Sequence, residues 1–190
     1  MTIRRRDAAS LAALGLLAAC RSTEPLLYAL LPAPGTPRRG GPRNVAVRAV
    51  SLARYLDRVQ IVRSVDDYRL SVSGNDWWGE SLDSMMTRVL VENLAQRLPN
   101  SNVFATGGAI SVTPEATVEV NLQRLGQPDP RTLVMTAQLA VTLREPRRRE
   151  VARTETLTTP VIGDEVSAFV AAASVAAGRL ADSVAAILAP

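Results

Sequence analysis

The run Leu133, Met135, Ala137, Leu139, Val141 and Leu143 places an apolar residue at every second position, with Thr136, Gln138 and Thr142 among those between. A period of two belongs to a strand with one buried face, and a helix of the same sequence would spread these side chains around its circumference. Such a strand cannot stand alone, because its apolar face needs cover and its edges need partners. Ala116, Val118, Val120 and Leu122 alternate in the same way upstream, and the Thr-rich residues 151–159 downstream are β-prone. Gly126-Gln127-Pro128-Asp129-Pro130 and Glu145-Pro146-Arg147-Arg148 separate the three runs and read as hairpin loops. Connections this short imply antiparallel pairing. Val45, Val47 and Ala49 predict an earlier strand, as do residues 60–65 and 68–72 around a turn at Asp66-Asp67. Ser73-Gly74-Asn75-Asp76 reads as a loop, and residues 103–106 as a short strand.

Two stretches change the period. Leu82, Met85, Met86, Val89, Leu90, Leu94 and Leu98 fall at helical spacing, with Glu80 and Asp83 in the expected first turn and Pro99-Asn100 as the stop. Val166, Phe169, Val170, Ala173, Ala177, Leu180, Val184, Ile187 and Leu188 form a second apolar stripe, with Asp164 as the expected N-cap. The fold class that follows is α+β: a mixed, largely antiparallel sheet covered on one face by two amphipathic helices.

The amino terminus has a separate logic. Arg4, Arg5 and Arg6 precede an apolar run at residues 8–17, and Leu17-Ala18-Ala19-Cys20 closes it. This is the layout of a secretory signal, and the apolar run is about half the ~20 residues a membrane span needs. The cysteine after the small pair marks a lipoprotein signal, so residues 1–19 are expected to be removed and Cys20 lipidated. Arg5-Arg6-Asp7 leaves twin-arginine export open beside the general route. Arg21 stands where an inner-membrane retention signal commonly puts Asp, which points to the periplasmic face of the outer membrane. Residues 20–43 hold Pro25, Pro32, Pro34, Pro37 and Pro42 and read as an extended tether, within which residues 26–31 are apolar enough for a short docked strand. Residues 44–190 are then the periplasmic domain.

Composition narrows the function. The chain has no histidine and one cysteine, so histidine-dependent nucleophilic catalysis and ordinary zinc sites are excluded. No phosphate-binding glycine loop is present. Asp66-Asp67 and Asp164-Glu165 are carboxylate pairs, but a turn and a helix start account for them. The net charge drops from +4 to +2 once Arg4, Arg5, Arg6 and Asp7 leave, which removes the case for a nucleic-acid binder. A non-enzymatic protein without cofactor or metal is expected. Docking candidates are the exposed-anchor types: Trp77 and Trp78, and the Arg147-Arg148-Arg149 hairpin tip. For the tryptophans, packing of the helix start onto the sheet is the competing role; for the arginines, a solvated turn.

Tyr55-Leu56-Asp57-Arg58-Val59-Gln60-Ile61-Val62 resembles the Y-L-D-R-P-Q-I-V stretch of the PqiC-type auxiliary lipoproteins of ABC transporters. Trp78-Gly79-Glu80-Ser81-Leu82 is similar to that family's W-x-E-P-L, and Arg88-Val89-Leu90 with Asn93-Leu94 to its R-V-L-x-x-N-L helix. Val59 and Ser81 replace two prolines of the pattern, a change in backbone stiffness and not in chemistry. The resemblance implies partners in place of a reaction: an MCE (mammalian cell entry) protein spanning the periplasm and an inner-membrane ABC transporter or permease, moving phospholipid or other hydrophobic molecules between membranes. A homo-oligomeric ring is an assembly that the resemblance also implies. Without the resemblance, a structural envelope lipoprotein that binds cell wall or another outer-membrane complex is the alternative, and a solute-binding lipoprotein would need a convergent polar pocket.

Overall fold

The alternating runs form the centre of the computed structural model, which describes residues 24–64, 68–109, 112–144 and 148–190. Strands β7 (Ala116–Asp129), β8 (Thr132–Leu143) and β9 (Arg149–Pro160) make an antiparallel meander. Val118, Val120, Leu122, Leu133, Met135, Ala137, Leu139 and Val141 are buried on one face, whereas Glu119, Asn121 and Gln138 stand exposed on the other. On the opposite side of β7 the pairing is parallel, through β2 (Asn44–Val47), β6 (Asn102–Ala105) and the short β3 (Ser51–Leu52). The order is β6-β2-β7-β8-β9, with β3 also on β7. A second, smaller sheet has the order β1-β5-β4, from β1 (Leu26–Tyr28), β5 (Leu70–Trp78) and β4 (Gln60–Ser64).

Helices α1 (Leu82–Arg97) and α2 (Val166–Leu188) pack on each other and on the large sheet. The fold is therefore the α+β arrangement that the periodicity implies, with the strands divided between two sheets. The α1 stripe Leu82, Met85, Met86, Val89, Leu90 and Leu94 is fully buried. Helix α2 turns a broad face of small residues inward, including Ala173, Ala176, Ala177, Gly178, Ala181 and Ala185, which lets its backbone lie close to its neighbours. It is also long and apolar enough to cross a membrane, but 67% of its most apolar window is buried inside the domain. Burial of that extent makes it a core helix.

Several boundaries differ from the sequence reading. The expected loop at 126–130 is strand, and β7 runs to Asp129 before a turn at Pro130-Arg131. The pairing shifts register between Leu122 and Arg124 and again between Gly126 and Asp129, and the second shift absorbs Pro128, which has no N–H to give to a regular ladder. Residues 73–76, expected as a loop, lie within β5, because Asp76 is held on two sides: Tyr28 donates to its Oδ1 at 3.0 Å and Ser73 to its Oδ2 at 2.9 Å. Asp164 is not the N-cap of α2; Glu165 is, without a side-chain capping bond, after a turn at Gly163 with φ +117. Glu80 precedes α1 and pairs with Arg88, which also reaches Glu92. The turns at Asp66-Asp67 and Glu145-Pro146-Arg147 lie outside the described residues.

Candidate functional site

No group of three or more His, Cys, Asp or Glu side chains converges among the described residues. A concavity of about 640 Å³ forms a trough on the open face of the large sheet. Ala140 and Ala152, neighbours in register, form part of its floor, and its polar walls are already paired: Arg48 with Glu119 at 2.9 Å and Asn121 with Gln138 at 3.5 Å. These are cross-strand pairs on a solvated face, and no unpaired acid or base converges there.

The more unusual feature is at the back, where the chain after β1 crosses the helices. Leu30 is fully buried and its N–H points to Met85 Sδ at 2.9 Å. Further along this strap, Leu31 N–H donates to Ser174 Oγ (3.1 Å), Ala33 N–H to Asn93 Oδ1 (2.9 Å) and Arg38 N–H to the Arg97 carbonyl (2.7 Å). Proline removes donors from this segment, and the N–H groups of Leu30, Leu31, Ala33 and Arg38 find partners on α1 and α2. Arg97 locks the crossing. Its side chain is 1% exposed and its Nε donates to Asp182 Oδ1 at 2.5 Å, while Nη1 and Nη2 reach the carbonyls of Ala33 (3.3 Å) and Pro34 (3.4 Å). A Cβ at Gly178 would lie 2.7 Å from Ala33 Cβ, so only glycine lets the strap pass α2 at this distance. The segment expected as a tether is thus extended yet seated in the domain from β1 to Arg38.

The family model described as ABC-type transport auxiliary lipoprotein component matches residues 28–185. The chain belongs to this family. No curated protein matches it. Among solved structures it is similar to an uncharacterised protein, with a TM-score of 0.72 and 17% identity over 87% of this chain and 99% of that one. It is also similar to protein XCC0632 of Xanthomonas campestris, of the DUF330 family, with a TM-score of 0.64 and 17% identity over 83% and 91% of the two chains. At this identity the neighbours carry the fold, and the family match carries the membership.

The motif of this auxiliary lipoprotein family is architectural in this chain. Tyr55 Oη accepts the Leu125 N–H at 3.3 Å, Leu56 and Ile61 enter the core, and the Val59 carbonyl accepts the Trp78 N–H at 2.7 Å. Gly79 N–H then donates to the Tyr28 carbonyl at 2.8 Å, and Asn93 receives the strap. The motif therefore fastens the small sheet and the strap to the rest of this transport auxiliary lipoprotein, and no part of it forms a reaction centre among the described residues.

The candidate anchors fall in different environments. Trp78 is 6% exposed and belongs to the core, so it offers no docking surface. Trp77 is half-buried, its Nε1 donating to the Gly74 carbonyl at 3.3 Å. Arg148 and Arg149 are exposed at the start of β9, and Cys20 and Arg147 lie outside the described residues. Sequence reasoning missed the Arg97 clasp. A signal for it was present: Asn93 and Arg97, four apart, fall beside Leu90 and Leu94 on the stripe that faces inward. A charge on an apolar stripe asks for a buried partner.

Proposed function

We propose that this protein is the outer-membrane, non-enzymatic subunit of an MCE-type transport system, lipid-anchored through Cys20 and docking the periplasm-spanning MCE protein for traffic of phospholipid or another hydrophobic molecule. The family match over residues 28–185 carries the reading. Leu17-Ala18-Ala19-Cys20 and Arg21 support the anchor and the membrane, and the absence of histidine fits a subunit that transmits contact in place of chemistry. In this reading the partner meets the end of the domain where Arg148 and Arg149 lead the exposed edge strand β9, since an edge strand accepts a further strand and arginine anchors binding. The test is affinity purification of the full-length lipoprotein from membranes. Recovery of an MCE-domain protein with its permease is the expected outcome. Recovery of cell-wall material without any transport component would replace this reading with that of a structural envelope lipoprotein.

A further inference from the structure

Exposed leucines stand in β1, the first strand of the described residues. Leu26 is 57% and Leu27 65% exposed. Leu27 lies in register with Trp77 on the neighbouring strand, so the leucine and the indole share a face of the small sheet. The indole N–H is already satisfied by the Gly74 carbonyl, so the ring edge can enter an apolar medium without losing its hydrogen bond. Other exposed apolar residues stand apart from this pair: Leu70 and Val72 lie towards the opposite end of β5 from Trp77, and Ile162, 90% exposed, is in the loop after β9. Arg63, Ser64 and Ser71 of the β4–β5 hairpin share a cleft with residues 127–130 and Asp164, which places the hairpin end of the small sheet beside the loop after β9.

The chain leading to β1 decides what covers this patch. Five residues lie between Cys20 and Leu26, and the six Cα–Cα steps of a fully extended chain reach at most about 20 Å. From β1 onward the strap is seated on α1 and α2, so no slack is stored downstream. A domain held by an acyl group on Cys20 must therefore keep β1, and with it the Leu27–Trp77 face, within that reach of the bilayer. We infer that Leu27 and Trp77, with the exposed Leu26 next along the edge strand, form a membrane seat that lays the β1 end of the small sheet on the lipid surface. The inference rests on the anchor reading given above. The seat fixes which end of the domain is offered to the periplasm. Because Glu24 and Asp76 flank the leucines, the seat works by apolar insertion and should be insensitive to salt.

Brominated lipids test this. Full-length protein is purified from membranes, its intact mass is measured, and it is reconstituted in phosphatidylethanolamine–phosphatidylglycerol vesicles with and without bromine on the acyl chains. Subtracting the emission of Trp77→Phe isolates Trp77 from the buried Trp78. The expected result is at least a twofold loss of the Trp77-dependent emission in brominated vesicles. Leu26→Ser with Leu27→Ser should largely restore it; both positions are exposed, so folding is spared. An acylated Cys20 with no quenching overturns the seat while leaving the anchor intact. So does a Trp77 signal that responds to protein concentration and not to bromine, which would put a second copy on this face. Quenching with an unmodified Cys20 supports the seat and overturns the anchor, and neither quenching nor acylation overturns both.

Discussion

Replacing Arg97 with methionine isolates what the buried guanidinium does, because methionine refills most of the volume and removes every donor. Two strap carbonyls, Ala33 and Pro34, lose their partner; the Asn93 carbonyl that Nη1 also touches at 3.0 Å keeps its ordinary helical bond. Both carbonyls are only part-buried, so each costs at most the low end of the roughly 1–3 kcal/mol of an orphaned buried carbonyl. Asp182 contributes less, because its side chain is 51% exposed and water takes over when the arginine leaves. Against these losses stands the desolvation of the guanidinium, which methionine does not suffer. The net expectation is about 1–3 kcal/mol of lost stability, read by urea unfolding followed by circular dichroism. Arg97→Ala adds a cavity and should cost more. Asp182→Asn should cost only about 1 kcal/mol, because the arginine keeps its carbonyl partners. Hydrogen exchange gives the local readout: the amides of Ala33 and Arg38 should exchange roughly a hundredfold faster in Arg97→Met, at about 1.4 kcal/mol per factor of ten. An Arg97→Met protein within about 0.5 kcal/mol of wild type, a change no larger than that of an ordinary surface substitution, would refute the clasp. Equal losses in Arg97→Met and Asp182→Asn would show that the ion pair, and not the strap, is what Arg97 serves.

Gly178→Ala should destabilise by about 1–3 kcal/mol through the 2.7 Å approach to Ala33, although alanine is the better helix former; a higher melting temperature would show that the strap yields. The Tyr28 hydroxyl is held above its ordinary pKa, first by burial and then by its hydrogen bond to Asp76. The folded state therefore keeps this proton more tightly than the unfolded one. Its stabilisation is complete below the ordinary phenol value of about 10 and is lost as pH rises through the folded value. An ultraviolet titration should show one late tyrosine that Tyr28→Phe removes and Asp76→Asn brings earlier. Leu90→Ala should cost roughly 2–5 kcal/mol, since the side chain is 1% exposed on the core face of α1; an unchanged unfolding midpoint would put that face elsewhere. Cys20→Ser should accumulate full-length, unlipidated precursor, and an intact mass matching a processed, unmodified Cys20 in the wild type would end the anchor reading.

Local pattern alone determined the strand character of 116–122, 133–143 and 151–159 and the two helices, because periods of two and of 3.6 record which face each residue buries. It also determined what the chain cannot do, since chemistry that needs histidine is absent from the composition. The loop readings at 73–76 and 126–130 failed for one reason. Gly, Asn, Asp and Pro favour turns locally, but pairing with neighbouring strands, the distant β1 beside Asp76 and the adjoining hairpin strand β8 beside Gly126, held these residues extended. Only the tertiary structure decided that the strands divide into two sheets, that β2, β3 and β6 lie parallel around β7, and that Trp78 is core while Trp77 is at the surface. It also decided that the proline-rich segment is a strap and not a free tether. Leu31 meets Ser174 and Ala33 meets Asn93 across separations of 143 and 60 residues. No local window contains both partners, and the hydrogen bonds that hold the strap exist only once α1 and α2 have packed side by side.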